Sequence, residues 1–82
     1  MSRRSTMKEW VWRALDAKGG KAQIVDVAKH IWTHHQADLT ASGKMLYTWQ
    51  YDMRWAATQL RQDGRMIAAD ECPRGVWALK RS

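Results

Sequence analysis

The sequence contains a single cysteine, a single proline and no phenylalanine. One cysteine excludes an intrachain disulfide, and a reducing cytoplasm is the simplest compartment for such a chain. No apolar run is long enough to span a bilayer, and the start lacks the charged, apolar and small-residue succession of a signal segment. We therefore expect a cytoplasmic protein without a membrane partner.

Motifs that carry catalysis are also missing. The sequence has no glycine-rich phosphate loop, no HExxH and no GxSxG pattern. His30 and His34 are four residues apart and could form one edge of a metal site with His35 and Cys72. A structural zinc site needs four ligands, however, and nothing in the sequence brings Cys72 to that segment, so we interpret the histidines as surface residues. Cys72 also lacks a histidine nearby in sequence to activate it, and we expect no enzyme, no metal, no cofactor and no small-molecule substrate.

The charge balance is strongly positive. The 82 residues include 14 Lys and Arg against 8 Asp and Glu, a formal net charge of +6. The isoelectric point is about 10.0. This length suits one small domain with one core, and the charge favours a polyanionic partner. A ribosomal or membrane-surface protein could share this balance. Six tryptophans supply much of the apolar area that so short a chain can bury.

A basic arm at residues 1–5 precedes a single domain at residues 6–82. Thr6 and Glu9 have the spacing of a capping box and predict the start of a first helix. Gly19–Gly20 predicts its end. The apolar positions between follow the stripe of a core-facing helix: Met7, Trp10, Val11, Ala14 and Leu15.

A second helix is predicted from about Gln23 to His35 by the same stripe, formed by Ile24, Val27, Ala28, Ile31 and Trp32. Lys21 and Ala22 precede it, at a position suited to a one-rung strand that pairs with the last part of the chain. Residues 36–45 are predicted as a loop, and the sequence leaves open whether residues 38–41 form a helical turn.

A third helix is predicted to start near Leu46 to Thr48 and to end at Asp63. One face is apolar and is expected to pack on the core: Trp49, Met53, Ala56, Ala57 and Leu60. The opposite face is cationic, hydroxyl-rich and aromatic: Tyr47, Tyr51, Arg54, Trp55, Thr58, Arg61 and Gln62. It contains no carboxylate, since Asp52 and Asp63 fall towards one flank. A merely solvated face usually mixes both signs, so this face indicates contact with nucleic acid.

The last part of the chain predicts a ribbon. Gly64 ends the third helix, Arg65–Asp70 and Val76–Leu79 are predicted strands, and Pro73-Arg74-Gly75 is the turn between them. Alternation places Trp77 and Leu79 on one inward face. The predicted fold class is α+β, mostly α: a winged helix-turn-helix with three helices followed by a two-stranded wing. Its core is expected to join Trp10, Leu15, Ile31, Met53, Leu60 and Trp77.

The segment Arg54-Trp55-Ala56 with Leu60 and Gly64, followed by Arg74 to Leu79, resembles the end of the winged-helix domain at the N-terminus of Mrr-type restriction proteins. Their pattern is Trp-Ala, three residues, Leu, a helix-ending glycine, then Arg-Gly, a hydrophobic pair and an aliphatic residue. Tyr51-Asp52 departs from the polar-basic pair usual there, and the wing is a few residues longer. The nuclease domain that usually follows is not expected here, because the sequence ends three residues after Leu79. The resemblance therefore implies the fold and DNA binding, not cleavage.

Double-stranded DNA is accordingly the expected partner, bound by a monomer or weak homodimer that acts as a small regulator, nucleoid-associated if the source is prokaryotic. In this prediction the third helix enters the major groove, where Arg54 or Arg61 could pair with guanine and Gln50 or Gln62 with adenine. Arg74 would reach a phosphate or a narrow minor groove. The candidate DNA-binding residues are Lys44, Tyr47, Thr48, Gln50, Tyr51, Arg54, Thr58, Arg61, Gln62 and Arg74.

A protein-interaction domain of the same shape is the alternative. Trp12 falls off the stripe of the first helix, and an exposed tryptophan there would favour this alternative. Trp55 is expected either to stack at the junction of helix and wing or to be exposed for a partner. A basic stripe joining Arg54, Arg61 and Arg74 would favour DNA, whereas scattered positive charges with an apolar patch would favour a protein. An RNA-binding variant is a third possibility.

Overall fold

Three helices and two short strands form the fold in this computed structural model, which describes residues 3–41 and 43–80. In chain order they are α1 Arg3–Ala17, β1 Lys21–Gln23, α2 Ile24–Ala41, α3 Lys44–Gln62 and β2 Val76–Ala78, with a 3-10 turn at Ala69–Glu71 before β2. This confirms a mostly helical α+β domain. Within the described ranges, no helix is both long and apolar enough to cross a membrane.

Helix α1 begins earlier than its capping pattern predicts. It starts at Arg3, so Thr6 lies inside the helix and the prediction of a cap there is wrong. No proline or glycine precedes Thr6, and nothing therefore stops the helix from extending through part of the predicted arm; residues 1–2 lie outside the described residues. The predicted end is confirmed, because Gly19 and Gly20 adopt φ of 83° and 93°. The Gly20 amide donates to the carbonyl of Leu15 at 2.7 Å.

Helix α2 continues past its predicted end. His35 has φ −128° and ψ 18° and forms a kink, after which the chain stays helical to Ala41. The predicted loop at residues 36–45 is thus largely helix, and the helical turn at residues 38–41 is present. Beyond the kink, Leu39 is fully buried, and this apolar anchor explains why the segment packs on the core instead of forming a loop.

Helix α3 has the predicted faces and end, but it starts two residues before Leu46, the earliest predicted start. It begins at Lys44 and is followed by Gly64, whose φ of 77° allows the Arg65 amide to donate to the carbonyl of Leu60 at 2.8 Å. All five residues of its predicted apolar face are buried. Most of the opposite face is consequently directed to solvent.

The sheet contains β1 and β2, which pair antiparallel with Ala22 opposite Trp77. This confirms the pairing of Lys21 and Ala22 with the last strand. The Leu79 amide extends the pairing by donating to the carbonyl of Gly20 at 2.7 Å. The segment after α1 is thereby held against the end of the chain.

The predicted two-stranded wing is not formed as such. Of Arg65–Asp70, only the first residues pair with the last strand. Met66 forms an isolated bridge to Leu79, the Ile67 amide donates to the carbonyl of Ala78 at 3.0 Å, and the Lys80 amide donates to the carbonyl of Arg65 at 2.9 Å. A 3-10 turn follows. Asp and Glu disfavour strands, and Pro73 has no amide to donate to a ladder. β2 instead has β1 as its strand partner. The prediction of a full wing strand at Arg65–Asp70 is therefore wrong.

One core joins all these elements, and Leu15, Ile31, Met53, Leu60 and Trp77 all belong to it. Trp10, the sixth predicted member, is only half-buried and packs against its edge. Leu79 is also buried, so the inward register predicted for the last strand is confirmed. The core thus fixes the apolar face of α3, and the opposite face does not pack on the core.

Candidate nucleic-acid interface

The outer face of α3 is the most exposed aromatic surface of the described residues. Tyr47 is 87% exposed and Tyr51 is 70% exposed. Arg54 and Thr58 are exposed further along the same face. Residues three, four and seven apart on a helix lie on one side, so this face follows directly from burial of the apolar residues opposite.

The carboxylates of the α3 region are withdrawn from this face. Asp52 is only 5% exposed, and its Oδ2 accepts a hydrogen bond from the Thr48 hydroxyl at 3.2 Å. Asp63, at the end of α3, forms an ion pair with the Lys8 Nζ of α1 at 2.6 Å. The exposed charge on the outer face of α3 is therefore positive.

The hydroxyls predicted to contact DNA are partly engaged within the helix. The Thr48 Oγ1 also lies 3.1 Å from the carbonyl of Lys44, and the Thr58 hydroxyl donates to the carbonyl of Arg54 at 3.3 Å. Each hydroxyl keeps lone pairs that can accept a further hydrogen bond.

A groove brings α3 together with the turn before β2. It encloses about 590 Å³ and is lined on its polar side by Gln23, Gln50, Arg54 and Arg74. Its remaining lining residues are aliphatic or glycine: Ile24, Val25, Ala28, Met53 and Gly75. Two cations from distant parts of the sequence therefore face one concave surface.

Hydrogen bonds of the turn position Arg74. The Ile24 amide, at the start of α2, donates to the carbonyl of Gly75 at 2.8 Å. The Val76 amide donates to the carbonyl of Pro73 at 3.1 Å, and Gly75 has φ of 78°, a conformation that glycine adopts at little cost. The turn is thus held on the first residue of α2, beside α3.

Arg61 and Trp55 are less exposed than the other residues of the outer face of α3. Arg61 is half-buried, and its Nε is buried without a hydrogen-bond partner. Among the residues described, Arg54 and Arg74 line the common groove and Arg61 does not. Trp55 is half-buried beside Tyr51 in a shallow depression of about 360 Å³. Of the three arginines whose common stripe would favour DNA, two therefore share one groove.

The 3-10 turn adds negative charge beside Arg74. Asp70 and Glu71 are both exposed and stand within four residues of it. This charge repels phosphates, so we expect the 3-10 turn itself to make no phosphate contact.

Trp12 lies on a second surface. It is half-buried, and the Arg65 guanidinium lies over its ring at 5.4 Å. Lys8, Glu9 and Arg13 complete this groove of about 440 Å³, where Arg13 and Glu9 form an ion pair at 2.5 Å. The exposed tryptophan that would favour a protein partner is therefore partly covered.

The histidines form ring contacts. His30 and His34 have ring centroids 4.2 Å apart, and His35 stacks on Trp10 with centroids 4.0 Å apart. Burial, reinforced by neighbouring positive charge, lowers the pKa of His30. Candidate metal ligands are not clustered in the described part of the structure. Across residues 3–41 and 43–80, no three His, Cys, Asp or Glu side chains are grouped so that they could hold a metal ion. Cys72 is a half-buried free thiol.

Val25 and Gln23 are site residues that sequence reasoning missed. Val25 is 53% exposed and lines the groove together with Arg54. Its position off the apolar stripe of α2 was a signal for exposure. No signal in the sequence placed it beside α3, because that proximity depends on how α2 and α3 pack.

Comparisons of the chain with protein-family models, with curated proteins and with solved structures found no match.

Proposed function

We propose that this chain is a winged helix-turn-helix that binds double-stranded DNA, with α3 in the major groove and the turn before β2 on the backbone or in the minor groove. The observation that carries this proposal is the shared groove, where Gln50 and Arg54 of α3 meet Arg74 of the turn. Guanidinium groups pair with phosphate and with guanine, and amides pair with adenine. Cations from two elements on one concave surface suit a curved polyanion.

The order of elements supports the proposed fold. A helix, a strand, two helices and a final strand that pairs with the first strand follow the chain order of a winged helix, and the Met66 bridge stands where its first wing strand would be. The resemblance to the N-terminal domain of Mrr-type restriction proteins points to the same arrangement and to DNA binding.

Size and charge support the proposed docking. An α-helix is about 10–12 Å across with its side chains, close to the width of the major groove, about 12 Å. The outer face of α3 presents Arg54 near its middle, whereas Asp52 is buried and Asp63 is paired with Lys8. The formal net charge of +6 adds a long-range attraction for DNA. We infer a small regulator or DNA-associated factor.

Binding to random-sequence duplex DNA across a salt series tests this function. If about four to six phosphates are neutralised, the logarithm of the binding constant should fall against the logarithm of salt concentration with a slope of roughly −4 to −5. A flat salt response, or no binding at low salt, would contradict the proposal. Docking of a protein on the exposed tyrosines would then be the better hypothesis.

A further inference from the structure

The three large apolar side chains that are exposed in the described part of the chain all border the proposed DNA interface. They are Val25 at 53%, Tyr51 at 70% and Tyr47 at 87% exposure. Elsewhere in the described residues, the large apolar side chains are buried or half-buried. Their concentration on one face calls for a ligand with an apolar component as well as charge.

Arg54 connects these side chains. It lines the deeper groove together with Val25 and the shallow depression together with Tyr51. Tyr47 lies one helical turn before Tyr51 on the same side of α3. The face therefore has a guanidinium at its centre, an aliphatic group on one side and two phenol rings on the other.

DNA offers one apolar group at the edge of its bases. The C5 methyl of thymine projects into the major groove, where it distinguishes an A·T pair from the other pairs through apolar contact. Phosphate contacts need cations and hydrogen-bond donors but no exposed apolar side chains. Resting on the proposed function, we infer that Val25, Tyr47 and Tyr51 contact thymine methyl groups, so that the preferred duplex carries thymines where α3 docks.

Removal of the methyl groups alone tests this inference. Alternating duplexes of dA with dT and of dA with dU differ only in the thymine methyl and need no knowledge of the natural site. Burial of one methyl group corresponds to about a fourfold change in affinity, so two or three contacts predict an affinity at least tenfold lower for the dU duplex, measured at one salt concentration.

Protein variants assign the contact to these side chains. Tyr51→Ser removes the ring and should reduce the ratio of dT to dU affinity by about fourfold, whereas Tyr51→Phe keeps the ring and should keep the ratio. Val25→Thr replaces a methyl with a hydroxyl at nearly constant volume and should also reduce the ratio. Because these side chains are exposed, the variants should melt like the parent.

The outcomes separate the inference from the proposed function. Equal binding of the parent to both duplexes, with the expected salt dependence, overturns the methyl contact and leaves DNA binding standing. Binding to neither duplex at low salt overturns both. A dT preference that persists unchanged in both Tyr51→Ser and Val25→Thr overturns the assignment to these side chains, since the preference would then arise from the shape of the duplex.

Discussion

At the scale of single residues, Arg54 has the most connected position on the proposed interface. It borders both depressions on the outer face of α3, and one of them also holds Arg74. The two arginines belong to different kinds of element. Arg54 is on a helix that can enter a groove, whereas Arg74 is in a turn beside exposed Asp70 and Glu71. Their expected contributions therefore differ.

Arg54→Ala should weaken duplex binding by roughly 1–3 kcal/mol and relax sequence preference, because a contact to a base edge is lost. Arg74→Ala should weaken binding more uniformly across sequences, because its contact is mainly to the backbone. Fluorescence anisotropy on a set of duplexes measures both effects. Arg13→Ala is a matched control, since it removes the same charge from α1, where Arg13 is paired with Glu9. A loss as large in the control would contradict the docking.

At the scale of elements, the kink of α2 is the least regular feature. His35 adopts non-helical angles there, its ring stacks on Trp10 of α1 at an interplanar angle of 10°, and its Nδ1 lies 3.9 Å from Asp38. Burial lowers the pKa of His35, and Asp38 opposes this effect while His34 and Arg13 add to it. The folded state therefore holds this imidazole neutral at a pH where the unfolded chain begins to bind a proton.

The pH dependence of stability follows from the lowered pKa values of His35 and His30. The unfolded chain binds the proton from about pH 6.5 downwards, ahead of the folded chain, so the stability contributed by neutral His35 and His30 is lost as pH falls below that value. The melting temperature should decrease as the pH is lowered from 7.5 to 5.5. His35→Gln should reduce this slope, whatever its effect at pH 7.5. A parent melting temperature that is constant over this range would contradict the prediction.

At the scale of the whole molecule, the interface depends on a core shared by distant segments. Trp77 of β2 is 4% exposed and Leu60 of α3 is fully buried. β2 holds the turn with Arg74, and α3 carries Arg54. The same core residues that stabilise the fold therefore also set the distance between the two cations of the groove.

Truncation in this core should abolish DNA binding indirectly. Trp77→Ala should cost about 3–5 kcal/mol and Leu60→Ala about 2–5 kcal/mol, a large part of the 5–15 kcal/mol or so that stabilises a typical domain. Circular dichroism melts should show both variants strongly destabilised. Arg54→Ala is the control and should melt like the parent, because its side chain is exposed. A Trp77→Ala variant with the parent melting temperature would contradict the central place of Trp77 in the core.

The amino-acid sequence by itself determined that three helices form, and it determined the faces of α3. The apolar period of α3 and the glycine that follows it are local signals, and both the buried face and the end of the helix agree with them. The exposure of Tyr47, Tyr51 and Arg54 follows from the same period. The inward register of Trp77 and Leu79 was also predictable, because alternation in a strand is a local property.

Tertiary structure decided which segments meet. Pairing of the final strand with β1 was predicted, but Arg65–Asp70 contributes only a bridge with its flanking hydrogen bonds instead of a full strand, since strand formation depends on partners that local alternation does not specify. Burial of Leu39 extends α2 beyond the kink at His35. This packing effect outweighs the local signals that predicted a loop from residue 36. The groove joining Val25, Arg54 and Arg74 likewise results from the packing of α2, α3 and β2 on one core, because its residues are far apart in the sequence.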